Sequence, residues 1–272
     1  MLFKRNRNIS VMGNATVPQT PKTPKTRTWH KPEGKYYNIS ATALDAEHTL
    51  IAGYTGCGKS TFLRSIVQAM LTKYSPAEAK MIIIDPKQTD LEKCADLPHC
   101  IRYADDLDKV NAALAYACEL MTARHAERRS SGAEVYEGAR LYVIIDELNP
   151  ILTDKHDKTR SAMSRYYIEQ LVSLGRSASV HVICATQNPN KSTIPANISD
   201  NCTCRFGLHC MTEIQSRQVI LRKGCEMLPK HGEAFAIIDG VLDKYKLPYV
   251  TQDDIKPLLD YWKSPSAVTY GY

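Results

Sequence analysis

Short, nearly continuous apolar runs recur along the chain, separated by longer stretches in which apolar residues return every three or four positions. HTLIAG (48–53), KMIIID (80–85), LYVIID (141–146) and VHVICAT (180–186) read as strands buried on both faces. TCRFGLH (203–209) and EAFAIID (233–239) read as two more. The intervening pattern predicts helices over 59–74, 107–128 and 159–174. In the second, Leu107, Val110, Leu114, Ala117 and Met121 make one apolar face; in the third, Met163, Tyr167, Leu171 and Leu174 are expected to point inward. Buried strands alternating with helices specify an α/β fold, a mostly parallel sheet with helices on both faces. Ligands of such sheets sit at the carboxyl ends of the strands.

The pattern begins only at about residue 36. The first 35 residues are rich in Pro, Thr and Lys and repeat PKT, so they lack the apolar surface needed to fold. They carry eight lysines and arginines against a single acid, Glu33, more than the whole chain's formal net charge of +6. The expected organisation is a disordered basic arm over 1–35, a folded domain over 36–262 and a flexible tail over 263–272. A basic arm can touch phosphates, and equally it can be a solvated leader.

At 272 residues and 43% hydrophobic composition the chain has material for one large core. No apolar run approaches the ~18–20 residues that cross a bilayer, and no apolar stretch follows the basic start as a secretion signal would require; the expected location is the cytosol. Nine cysteines, an odd number at scattered positions, do not make a disulfide framework. Cys202, Cys204 and Cys210 lie close in sequence, with His209 beside the last, but lack a second well-spaced ligand pair and read as buried strand cysteines rather than a zinc site.

Three strand ends carry chemistry. After the first strand, Gly53-Tyr-Thr-Gly-Cys-Gly58-Lys59-Ser60 satisfies G-x-x-x-x-G-K-[ST] between a strand and a helix. Phosphate oxygens must be met by backbone N–H groups at close range, which the loop of Gly53, Thr55, Gly56, Cys57 and Gly58 can supply. Lys59 would reach the β- and γ-phosphates of ATP, Ser60 would ligate Mg²⁺, and Thr61 would bond the α-phosphate at the positive end of the helix. LYVIID ends in Asp146 and Glu147, two adjacent acids whose burial needs partners. Asp146 would hold Mg²⁺ through water, and Glu147 would orient and deprotonate the attacking water. The fourth strand ends in Thr186 and Gln187, a neutral amide suited to contacting the γ-phosphate or that water.

HTLIAGYTGCGKST, AKMIIIDPKQTDL, LYVIIDE, LGRSASVHVICATQNP and ANISDNCTCRFGLH together resemble, in order and spacing, the motor domain of the FtsK/SpoIIIE DNA translocases within the FtsK/HerA group. The resemblance runs from about Glu47 to Asp239. It implies a RecA-like ATPase working as a hexameric ring on double-stranded DNA, with Lys59 and Ser60 as Walker A residues, Asp146 and Glu147 as the Walker B pair and Gln187 as the sensor glutamine. It places Arg176 where ring ATPases put an arginine that reaches a neighbour's nucleotide, with Arg205 and Arg217 as further candidates. Asn188 stands where the family usually has arginine, and the segment after it is short, which puts the family's DNA grip in doubt here. A bare motor of this kind suits plasmid or mobile-element transfer or replication, including conjugation. Two other readings stay open: an ATPase of a type VII-like system with protein cargo, and a nucleotide-binding adaptor recruiting a relaxase or replication initiator. The acids and Gln187 together form a hydrolytic set that an adaptor does not need.

Overall fold

The computed structural model of the protein describes residues 39–88 and 91–264. The arm expected over 1–35 lies outside the described residues, as does the tail beyond Ser264. The chain enters through α1 (Ile39–Asp45), β1 (His48–Ala52), α2 (Lys59–Lys73), β2 (Ala79–Ile84) and β3 (Cys100–Ala104). It continues with α3 (Leu107–Ser131), β4 (Arg140–Ile145), α4 (Leu148–Leu152), α5 (Lys158–Leu174) and β5 (Val180–Thr186). It closes with α6 (Ala196–Asn201), β6 (Cys204–Gly207), α7 (Glu213–Ile220), β7 (Glu233–Ile238), β8 (Val241–Lys246) and α8 (Gln252–Lys263), which runs one residue past the expected domain boundary at 262.

All eight strands share one sheet, ordered β3-β2-β4-β5-β1-β6-β7-β8. The first six are parallel; β7 and β8 are antiparallel additions at one edge. Alternation along each strand splits the core in two. Met81 and Ile83 of β2 face α1, α2 and α8, where Phe62, Ile66, Met70, Leu258 and Trp262 pack. Ile82 and Ile84 face α3, α4 and α5, where Val110, Leu114, Leu148, Ile168 and Leu171 pack. The runs read as doubly buried therefore are so: every residue of β1 and β5 is buried.

Helix α3 shows the predicted face, with Val110, Leu114, Ala117 and Met121 buried. Its start is capped by Asp106, whose carboxylate accepts from the Lys109 N–H, and Gly132 at φ 73° ends it. Of the inward face expected for the next helix, Leu171 is buried and Tyr167 packs against the core, but its two end positions miss. Met163 and Leu174 of α5 are exposed, and the buried positions are Ser161, Ser164, Ile168, Leu171 and Val172. The cause is close packing on α3: the Ser164 hydroxyl donates to Asn111 Oδ1 at 2.6 Å, and Asn111 Nδ2 donates to the Arg160 carbonyl at 3.2 Å. The small Ser164 lets the helices meet through hydrogen bonds, a contact that apolar spacing does not register.

Candidate functional site

The site forms where β1, β4 and β5 end side by side. Beyond Ala52 the chain leaves the sheet but stays tied to its neighbours: the Gly53 N–H donates to the Thr186 carbonyl at 3.2 Å and the Tyr54 N–H to the His209 carbonyl at 2.7 Å. A Cβ at Gly53 would stand 2.6 Å from Cys57 Sγ and 2.7 Å from Leu208 Cβ, so only glycine fits. The loop closes through Cys57 N–H to the Tyr54 carbonyl, with Gly56 and Gly58 at φ 75° and 100°. Gly58 begins α2 without a side-chain cap, which leaves the first-turn N–H groups for an anion. The Cys57 thiol is buried, and burial raises its pKa; this residue offers a ligand only its backbone.

Lys59 is a buried cation, 4% exposed. Its Nζ donates to the Asp146 carbonyl at 2.6 Å and to Asp146 Oδ1 at 3.3 Å. Glu147 is 1% exposed and its carboxylate is held from several sides. Lys87 Nζ lies 3.0 Å from Oε2, the Gln187 N–H donates to both oxygens at 3.1 and 3.2 Å, and the Asn149 N–H donates to Oε1 at 3.3 Å as α4 begins. The Thr55 hydroxyl donates to Gln187 Oε1 at 2.9 Å, linking the phosphate loop to the end of β5. Two cavities adjoin here. One, of about 290 Å³, is lined by Gly56, Gly58, Lys59, Ser60 and Thr61 with His231 and Tyr249. The other, of about 350 Å³, holds Glu147, Lys87, Asn149, Asn188 and Gln215. Tyr54 and Gln187 border both. A buried cation beside two positive-φ glycines fits a polyphosphate on one side, and a clamped carboxylate fits a water to be activated on the other. The Ser60 hydroxyl in the first cavity and the Asp146 carboxylate behind Lys59 are hard oxygen donors that suit Mg²⁺.

The structure thus brings the loop residues, Lys59, Ser60, Asp146, Glu147 and Gln187 together, and leaves the arginines apart. Arg176 sits in a short 3₁₀ turn, Arg176–Ala178, before β5, at the sheet end opposite the phosphate loop. Its side chain is 75% exposed, with Nε 2.7 Å from Glu47 Oε1. Arg205 is pointed inward, against the expectation that it could reach a neighbour: it is 8% exposed and donates to the carbonyls of Ser199 and Cys202. Its Nε and Nη2 hold the turn between α6 and β6. Arg217 is exposed on α7 and paired with Glu213. Sequence reasoning missed Lys87, His231 and Tyr249. IDPK held the signal for Lys87, since a lysine just past a buried strand end falls beside the neighbouring strand's acid; for His231 and Tyr249 there was none.

Sheet order, helices on both faces and the phosphate loop at the end of a central strand define a RecA-like P-loop NTPase fold. Residues 33–142 match the model of the FtsK/SpoIIIE family. Among its relatives, DNA translocase FtsK of Helicobacter pylori strain J99 is 28% identical over 241 residues, which cover 82% of this chain and 28% of that protein. DNA translocase FtsK of Caldanaerobacter subterraneus is 29% identical over 238 residues, covering 83% and 33%. The chain therefore spans about a third or less of these relatives' length. Similar solved structures include the pCW3 conjugation coupling protein TcpA with ATPγS (TM-score 0.69, 20% identity, 80% of this chain and 66% of that one). EssC ATPases 2 and 3 from Geobacillus thermodenitrificans give a TM-score of 0.68 at 19% identity, over 81% of this chain and 44% of that one. Among the described residues no helix is long and apolar enough to cross a membrane.

Proposed function

We propose that the chain hydrolyses ATP and uses the energy to move double-stranded DNA, acting in the cytosol as a homo-hexameric ring during plasmid or mobile-element transfer or replication. The observation that carries the hydrolytic part is the Glu147 carboxylate, buried and clamped one cavity away from the phosphate loop. Lys59 would neutralise the β- and γ-phosphates, and the loop N–H groups would hold the remaining oxygens. Ser60 and Asp146 would hold Mg²⁺, which would supply positive charge to offset that of the phosphates. Glu147 would take a proton from water as its oxygen bonds the γ-phosphorus and the bond to the ADP oxygen breaks. Gln187, bordering both cavities and bonded to Thr55, would report whether the γ-phosphate is present. Arg176 would serve a neighbouring chain's nucleotide. The DNA part is supported by relatives named as DNA translocases; a relaxase or replication initiator is a partner that would suit such a role.

The deciding measurement is ATP turnover with and without duplex DNA, on the wild type and on Glu147→Gln. Duplex DNA should stimulate the wild type several-fold, and Glu147→Gln should bind ATP without hydrolysing it. Turnover indifferent to DNA but raised by a secretion-substrate peptide would transfer the motor to protein cargo. Near wild-type turnover by Glu147→Gln would remove the water-activation role.

A further inference from the structure

The phosphate loop lines the 290 Å³ cavity together with two rings that belong to no motif, His231 and Tyr249. Their placement follows from the β7–β8 hairpin. β7 runs antiparallel to β6, so the hairpin's open end lies at the same end of the sheet as the phosphate loop. His231 precedes β7 and Tyr249 follows β8, and the two flanks are tied by the Leu247 N–H donating to the Gly232 carbonyl at 2.9 Å. On the same flank the Lys230 side chain leans over the loop, its Cε 3.9 Å from where a Cβ at Gly56 would stand.

Tyr249 is 71% exposed, yet its segment is fixed. Leu247 and Val250 on either side are buried, at 5% and 1%. Arg64 of α2 donates from Nη1 to the Val250 carbonyl at 2.6 Å, so the helix that begins at the phosphate loop also positions this segment. Thr251 and Asp254 form a capping box that fixes the start of α8 just beyond. A large ring held out of the core on a rigid backbone loses little freedom on binding and offers a flat apolar face. Aromatic rings at the edge of a phosphate site suit the base of the same nucleotide, because every base has a π-face to stack.

We infer that Tyr249 is the platform on which the purine base of a nucleoside triphosphate stacks, in the cavity that His231 also lines. This rests on the nucleotide reading of the loop and adds the base-binding half of the site. ATPγS and inorganic tripolyphosphate separate the two, since only the first has a base. In calorimetric titrations Tyr249→Ala should weaken ATPγS about ten-fold or more and leave tripolyphosphate unchanged, while Tyr249→Phe should stay within about two-fold of wild type because it keeps the ring. Equal weakening of both ligands, or of neither, would overturn the platform while wild-type binding left the nucleotide site intact. Failure of the wild type to bind either ligand would remove the nucleotide reading itself, and the platform with it.

Discussion

Glu147 shows how one residue's geometry becomes chemistry. A carboxylate 1% exposed needs compensation, and three of its four described hydrogen bonds come from two backbone N–H groups, those of Gln187 and Asn149, which cannot move without unwinding the end of β5 or α4. The fourth, Lys87, brings the charge, and it is a flexible side chain 37% exposed. Replacing it with Met should therefore leave nucleotide affinity near wild type while kcat drops by ~10- to 100-fold, the scale of a misplaced catalytic group. Steady-state kinetics beside equilibrium ATP binding would read that split. An unchanged kcat would reduce Lys87 to an ordinary surface partner. The acids themselves were legible, since two carboxylates that end a buried strand must be met there by a cation or by N–H groups. Lys87 had its local signal in IDPK, but pairing it with Glu147 across sixty positions of chain needs the neighbouring order of β2 and β4 in the sheet.

Among the elements, the central strands could be read from sequence because burial on both faces leaves no polar position to blur them. β3 could not: at the sheet edge its pattern is mostly half-buried. β8 is likewise half exposed, although the Asp239-Gly240 turn before it, with φ 50° and 80°, is the local signal for such a hairpin. The strand starts also bury histidines. His48 opens β1, and its Nδ1 accepts from the Val182 N–H at 3.0 Å, so a proton there would face another N–H. Burial first, and then His181 nearby, lowers its pKa from 6.5 to about 4. His99, just before β3 and edge-on to Trp262, is lowered to about 4 chiefly by burial. Groups whose folded pKa is depressed bind fewer protons folded than unfolded between pH 6.5 and 4. Their stability is thus fully present above 6.5 and is lost as pH falls through that window, by about 2 kcal/mol each by pH 5. Urea midpoints should drop between pH 7.5 and 5. His48→Asn, which keeps an acceptor near Nδ1, should flatten the drop; an equally steep profile in that variant would take His48 out of the account.

At the scale of the whole molecule, the sheet separates the site from Arg176. The phosphate loop leaves the carboxyl ends of the strands, and Arg176 precedes the amino end of β5, a seven-residue strand that spans roughly 20 Å at ~3.3 Å per residue. No rotamer carries its guanidinium to its own Lys59, so any nucleotide it serves belongs to another chain. Locally it has one charged partner, Glu47, in an ion pair with the arginine three-quarters exposed. Such pairs contribute at most about 1 kcal/mol, whereas an arginine supplied to a neighbour's γ-phosphate is worth ~10³ to 10⁵ in rate. The two roles separate in mixed assemblies. Arg176→Ala should fold with wild-type stability and bind ATP normally, yet hydrolyse it poorly alone. Lys59→Ala should also be inactive alone, having lost its own phosphate contact. Mixed together, some interfaces pair an intact phosphate loop with an intact Arg176, and turnover should return in proportion to them. Absence of recovery in assemblies shown by mass measurement to contain both chains would leave Arg176 as the surface partner of Glu47. The trans role would then fall to Arg217, whose guanidinium is exposed on α7 rather than turned inward like that of Arg205.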